Sequence, residues 1–140
     1  MSTTVEELQA QGFRTWGTTD PFEDTIGPFY FRQEDDGSYR SAFISEAKHL
    51  NGGGMLHGGL LMSFADFALF VTARDHLEGM GVTVGFNSEF VSAGPNNALI
   101  EAVGEVTKAT RSLLFVRGKI YSGDTTIMTY SGILKKIRKP

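Results

Sequence analysis

Residues 51 to 66 read NGGGMLHGGLLMSFAD, with glycines crowded around a histidine and an aspartate set in the apolar run that follows. A helix that starts near His57, Gly58 and Gly59 presents backbone N–H groups without intrahelical partners, at the positive end of the helix dipole. Such groups can hold a carbonyl oxygen that gains negative charge. Glycines there would let a substrate approach the backbone closely, as an oxyanion hole requires. They would equally serve a tight turn that fits a helix against a sheet.

Asp66 is the costly residue of this stretch. An aspartate inside an apolar helix loses several kcal/mol of hydration unless it is paired or hydrogen-bonded. The residues three and four positions away are Met62, Ser63, Leu69 and Phe70, so no base can pair with it along the helix and Ser63 is its only polar neighbour one turn away. Asp66 either accepts hydrogen bonds from backbone N–H groups as a structural acid, or is the kind of expensive group that active sites retain. His57 and Asp66 cannot meet on one helix, because nine residues place them on opposite faces and about 13 Å apart along the axis. If both ends of the stretch serve one site, that site is composite and lies between two subunits.

Several other chemistries fail on spacing. The dinucleotide pattern G-x-G-x-x-G breaks because His57 stands where the third glycine belongs, counting from Gly52 and Gly54, and no Gly-Lys-Ser or Gly-Lys-Thr follows for a phosphate loop. His49, His57 and His76 have no i, i+4 pairing and no carboxylate cluster beside them, so no metal is expected. The chain has no G-x-S-x-G elbow and no Cys, which removes a nucleophile-elbow serine hydrolase, a disulfide and a cysteine nucleophile.

The elements that must position these residues are legible from the patterning. Leu60 to Ala73 is apolar at eleven of fourteen positions, interrupted by Ser63, Asp66 and Thr72. That predicts a helix wrapped on most sides, too short for a bilayer, which needs about 20 residues. Arg74, Asp75, His76 and Glu78 mark its exit to solvent, with Gly79 and Gly81 ending it. Before it, VEELQAQGFRTW (5–16) predicts a short helix anchored by Val5, Leu8 and Phe13, within a peripheral segment spanning residues 1–20. TTDPFEDTIGP (18–28) reads as a loop, FYFRQ as a first strand, EDDGS as a hairpin turn and YRSAFISEA as a second strand. After it come four strand-like runs, VTVGFNSEFV, ALIEAVGEVTK, LLFVRGKIYS and TIMTYSGILKKI, separated by SAGPNN, ATRS and GD.

This is an α+β pattern with antiparallel pairing and one long central helix. Gly104, Gly118 and Gly132 sit inside three of the strands, which suggests a strongly curled sheet. A curved antiparallel sheet wrapped around an apolar helix is the hotdog fold. The 140 residues suit a single domain spanning 1–140, and eleven Phe predict an aromatic core. The N-terminus has neither a signal nor a transit pattern, so a cytoplasmic location is expected.

Net charge is -3, which argues against a nucleic-acid partner, but it is unevenly spread. Residues 1–56 carry four basic and nine acidic side chains, 57–107 one and six, and 108–140 eight and one. The basic end, finishing in KKIRKP, is either a solvated tail or a patch that helps hold a phosphate-bearing ligand.

Asn51, Gly54, His57, Gly58, Gly59 and Asp66, followed by GVTVGFN, form an N-x-x-G-x-x-H-G-G pattern with an Asp seven positions after the last glycine. The pattern resembles the hotdog-fold acyl-CoA thioesterases of the phenylacetate-degradation (PaaI-like) family, from about DPFEDTIG to the C-terminus. The resemblance implies hydrolysis of an acyl-CoA, with coenzyme A entering as part of the substrate and no further cofactor. The Gly58 N–H at the His57 helix start would polarise the thioester carbonyl, assisted by Asn51. Asp66 of the partner subunit would act as general base or nucleophile, and the Thr83 hydroxyl, where the family commonly has Ser, would help orient the water. Gly59 and Ser63 would join the substrate-binding surface. Arg111, in the turn ATRS, is either a contact for the CoA moiety or part of a solvated turn. The strand carrying Thr83 would pair across a homodimer, and dimers would associate into a homotetramer. An acyl-CoA-binding module without turnover is the alternative, and a hotdog dehydratase or hydratase a more distant one. Aryl and fatty acyl groups both suit so many Phe residues.

Overall fold

The computed structural model describes residues 3–137. Six strands, β1 (Tyr30–Gln33), β2 (Tyr39–Ile44), β3 (Met80–Phe90), β4 (Leu99–Ala109), β5 (Leu113–Ser122) and β6 (Thr125–Ile137), form one antiparallel sheet in the order β1-β2-β4-β5-β6-β3. The sheet does not close, so β1 and β3 are its edges. Three α-helices accompany it among the described residues: α1 (Val5–Ala10), α2 (Pro21–Ile26) and α3 (Gly58–Thr72). This is the expected hotdog architecture, with α3 packed across β2, β4, β5, β6 and β3. The last three residues of the basic tail lie outside the described residues.

The apolar run of α3 explains its placement. Leu60, Leu61, Phe64, Ala65, Phe67, Ala68, Leu69 and Val71 are all buried. Phe64 and Phe67 meet Phe29 at ring separations of 5.1 and 5.4 Å, and Phe64 meets Phe43 at 4.7 Å, so the aromatic core forms where helix and sheet face each other. One stripe stays uncovered. Met62 is exposed, and Gly59, Ser63, Asp66 and Phe70 are half-buried, at the three- and four-residue spacing that keeps them on one face.

The interior glycines serve close approach. A Cβ on Gly132 would collide with the Leu69 side chain of α3. Gly104 and Gly118 face each other across β4 and β5; a Cβ on the former would come within 2.5 Å of the Arg117 carbonyl, and on the latter within 2.5 Å of the Tyr130 hydroxyl. Register shifts, which bend and twist a strand, fall elsewhere: between Thr83 and Gly85, Val106 and Lys108, and Ile120 and Tyr121.

Two expectations for the N-terminal part need correction. The first helix ends at Ala10, because Gly12 adopts φ +90, a left-handed conformation that breaks it. Leu8 and Phe13 are buried anchors, whereas Val5 is exposed. Arg14 and Phe31 then exchange two backbone hydrogen bonds of 2.9 and 2.8 Å, which extends the sheet beyond β1. The segment 18–28 is not all loop. Pro21 occupies the first turn of α2, and the Asp20 side chain accepts the Glu23 N–H at 3.1 Å as its cap.

Candidate active site

The start of α3 is held from both sides of His57. Its Nδ1 accepts the Gly59 N–H at 2.9 Å, and its own backbone N–H donates to the His49 carbonyl at 2.9 Å. His49 is buried and structural: its Nδ1 accepts the Glu46 N–H at 2.9 Å and its Nε2 faces the Ile26 carbonyl at 2.6 Å. Capping by His57 takes the Gly59 N–H and leaves the Gly58 N–H free of a capping side chain. The Asn51 Oδ1 accepts from the Gly53 and Met55 N–H groups at 2.9 and 3.2 Å, which folds the glycine-rich loop back on itself. That arrangement leaves the Asn51 amide N–H groups uncommitted among the described residues. Asn51 and Gly58 line one depression together with Leu61 and Phe90. The Phe90 ring lies so close that a Cβ on Gly58 would meet its Cζ at 3.1 Å.

Asp66 finds its partner across the fold. Its Oδ1 accepts from the Thr83 hydroxyl at 2.5 Å, whereas the Ser63 hydroxyl donates to the Gly59 carbonyl at 2.9 Å and is not available to it. Thr83 reaches it from edge strand β3, beside the register shift. The Asp66 carboxylate is half-buried and borders two openings. One is a cavity of about 490 Å³ lined by Trp16, Glu23, Phe67, Phe70 and Arg74 among others; the other is a depression shared with Gly59, Ser63, Met62, Glu23 and Phe86. Neither shares a residue with the depression at Asn51 and Gly58. Within one chain the residues therefore form two groups, Asn51 with Gly58 and Thr83 with Asp66. Arg111 belongs to neither. It is exposed and lines a separate depression with His76, Glu78 and Lys136.

Residues 53–129 match the profile of the thioesterase superfamily. The chain belongs to that superfamily. A Pseudomonas aeruginosa protein named "Putative esterase PA0474" is 30% identical over 126 residues, covering 88% of this chain and 93% of its own. Among solved structures, a Bacillus halodurans protein, BH2602, described with CoA, superposes with a TM-score of 0.78 at 22% identity, covering 97% of this chain and 89% of that one. The Escherichia coli PaaI protein of the phenylacetic acid degradation operon superposes with a TM-score of 0.75 at 20% identity over 86% of each chain. The family resemblance drawn from the N-x-x-G-x-x-H-G-G pattern thus holds.

Three residues around Asp66 in this thioesterase-superfamily protein escape the sequence reading. Trp16 lies in the segment expected to be peripheral, yet it packs on Phe31 and Phe67 at 4.6 and 5.7 Å and lines the Asp66 cavity. Arg74, expected to face solvent, places its guanidinium 5.9 Å from the Trp16 ring centroid and 5.0 Å from that of Phe31. Glu23 joins both openings from α2. Burial, then the like charges of Asp20, Asp66 and Asp24, push its carboxyl up to about 7. The Asp-Pro pair ahead of Glu23 is a helix-start signal that reveals α2, but nothing local indicates that Glu23 faces Asp66.

Proposed function

We propose that this protein hydrolyses acyl-CoA thioesters at a site completed by two copies of the chain. The observation that carries this reading is the division of the site: the Gly58 and Asn51 donors open on one side of the α3 start, while Asp66, held by Thr83, opens on the other. The free edge β3 supports pairing with a second copy. It bears exposed Met80, Val82, Val84 and Phe90, an apolar edge that needs covering.

The thioester carbonyl oxygen docks against the Gly58 N–H and the Asn51 amide, which stabilise the negative charge that develops on it. Asp66 of the other subunit takes a proton from water as the water oxygen bonds to carbon, or attacks the carbon itself to form an anhydride that water then cleaves to the free acid, restoring the Asp66 carboxylate. The C–S bond breaks, its electron pair leaves on sulfur, and the thiolate is protonated to free CoA. A thioester is activated enough for one carboxylate and an oxyanion hole to suffice. The structure of the Bacillus halodurans protein with CoA favours the same substrate class. Arg111, with Lys136 and His76 beside it, is the candidate contact for the phosphates.

The test is release of free thiol from phenylacetyl-, hydroxybenzoyl- and straight-chain acyl-CoAs. No release from any of them leaves the acyl-CoA-binding module as the better reading. Asp66→Asn keeps an acceptor for the Thr83 hydroxyl, so it should fold normally and lose turnover; an active variant overturns the mechanism. Mixed dimers of Asp66→Asn with Asn51→Asp should regain part of the activity, because one of their two sites is intact. A site contained in one chain would regain none.

A further inference from the structure

We propose that Glu23 is a second working carboxylate of this site, a positioning residue whose charge beside Asp66 discriminates the carboxylate of the product from the uncharged thioester group of the substrate. The inference rests on the hydrolytic reading above.

Its geometry is specific. Glu23 comes from α2 and Asp66 from α3, yet the two residues together border both the cavity under Trp16 and the neighbouring depression at Gly59 and Ser63. The turn that carries Glu23 is anchored at both ends. Asp20 caps its start, and at its end the Lys48 Nζ donates to the Gly27 carbonyl at 2.6 Å. The Gly27 N–H closes the turn on the Glu23 carbonyl at 2.7 Å, where a Cβ on Gly27 would come within 2.6 Å of that oxygen. A six-residue helix fixed so firmly holds its one inward acid in a defined place.

The Glu23 carboxyl itself has no hydrogen bond or ion pair among the described residues, unlike an acid kept for structure. Its charged surroundings are Asp20 and Asp24 on its own turn, Asp66 on α3, and Arg74 after α3. Arg74 is the one cation lining the cavity among the described residues, and its guanidinium lies over the Trp16, Phe31 and Tyr39 rings. Lys48 is engaged with the Gly27 carbonyl. With the carboxyl pushed up to about 7, Glu23 gains its charge within the neutral range.

Hydrolysis changes the charge of what occupies the site. The acyl carbon enters as a neutral thioester. Water supplies the oxygen, sulfur leaves with the bonding pair and takes one proton, and the acid formed loses another to become a carboxylate. That carboxylate arises beside Asp66, and an ionised Glu23 adds a second repulsion that the thioester does not feel. Release of the acid is thereby favoured without weakening substrate binding.

The experiment is inhibition of thiol release by the free acid corresponding to the best substrate, measured between pH 6 and 8 in the wild-type protein and in Glu23→Gln. In the wild type the inhibition constant should rise about three- to ten-fold over that range, as expected for one added charge at a partly hydrated site. In Glu23→Gln it should stay near its pH 6 value, with the KM for the thioester changing less than the inhibition constant. Glu23→Asp should restore the pH dependence. An unchanged pH dependence in Glu23→Gln, or KM and inhibition constant moving together, overturns the proposal. A carbon-13 NMR titration of the Glu23 carboxyl gives a readout without turnover. Its midpoint should lie near 7 and fall in Asp66→Asn; a midpoint indifferent to Asp66 overturns the pairing. Absence of any thiol release refutes the hydrolytic reading, and the titration still decides whether the two acids interact.

Discussion

Replacing Thr83 by Val removes one hydroxyl and keeps the shape of the side chain. In the wild type that hydroxyl donates to the Asp66 Oδ1 at 2.5 Å, so the substitution takes away the one side-chain donor to the candidate base among the described residues. A hydrogen bond to a charged group contributes about 1.5–3 kcal/mol, which corresponds to roughly ten- to a hundred-fold in rate if it is felt fully in the transition state. Asp66 is half-buried beside an open cavity, so water replaces part of the lost donor and the lower end applies: a fall in kcat of about ten-fold. KM should change little, because Thr83 acts on the base and not on the bound acyl group. Val is favoured in strands, so stability should stay within about 1 kcal/mol of the wild type in a denaturant titration. The assay is continuous thiol release under saturating and limiting acyl-CoA, with Thr83→Ser as the control that returns the hydroxyl. Wild-type kcat in Thr83→Val, or Thr83→Ser as slow as Thr83→Val, would refute the orienting role.

Other perturbations test the supports of the site. His57→Ala removes the N-cap of α3 at the Gly59 N–H and should cost about 1 kcal/mol, read as a lower Tm of about 3–5 °C; an unchanged Tm would mean that water replaces the cap. Gly132→Ala drives a methyl group into Leu69 of α3 and should destabilise by about 1–3 kcal/mol in urea unfolding, with a neutral result showing that the helix can shift away from β6. Glu23, raised from 4.5 to about 7 by folding, binds a proton more tightly in the native state, so its contribution to stability is present below about 4.5 and is lost as pH rises through about 7. Glu23→Gln should therefore be more stable than the wild type at pH 8 by about 1 kcal/mol, a figure reduced for partial exposure, and the gain should disappear at about pH 4. A gain of equal size at both pH values would assign it to packing.

Much of the scaffold is legible before any coordinates. The run from Leu60 to Ala73 can bury its apolar surface only as a wrapped helix, and α3 spans Gly58–Thr72 with eight residues buried. The four later strands fall where apolar runs are broken by turn residues, because each turn needs chemistry that a strand interior disfavours. Helix periodicity alone separates Asp66 from the Gly58 end, and the openings in the structure keep the same separation. Residue types at the α3 start likewise announce a helix N-terminus, while its glycines suit a close ligand and a close-packed neighbour alike; in the structure the Phe90 ring lies against Gly58.

Long-range pairing is what local pattern does not contain. Thr83 reaches Asp66 only because β3 crosses the sheet to pair with β6 and so lies alongside α3 at its edge. The six residues of α2 are too few for periodicity to register, and its position against α3 depends on contacts made by Lys48 and His49, more than twenty residues away. Trp16 and Arg74 read locally as parts of peripheral or exposed segments, yet they meet over the aromatic core. The sequence by itself determined the elements, the helix start and the presence of a costly acid, since those follow from local sterics and hydrophobic burial. Tertiary structure alone decided which hydroxyl holds Asp66 and which second carboxylate stands beside it, because such neighbours are set by how separate elements share one core.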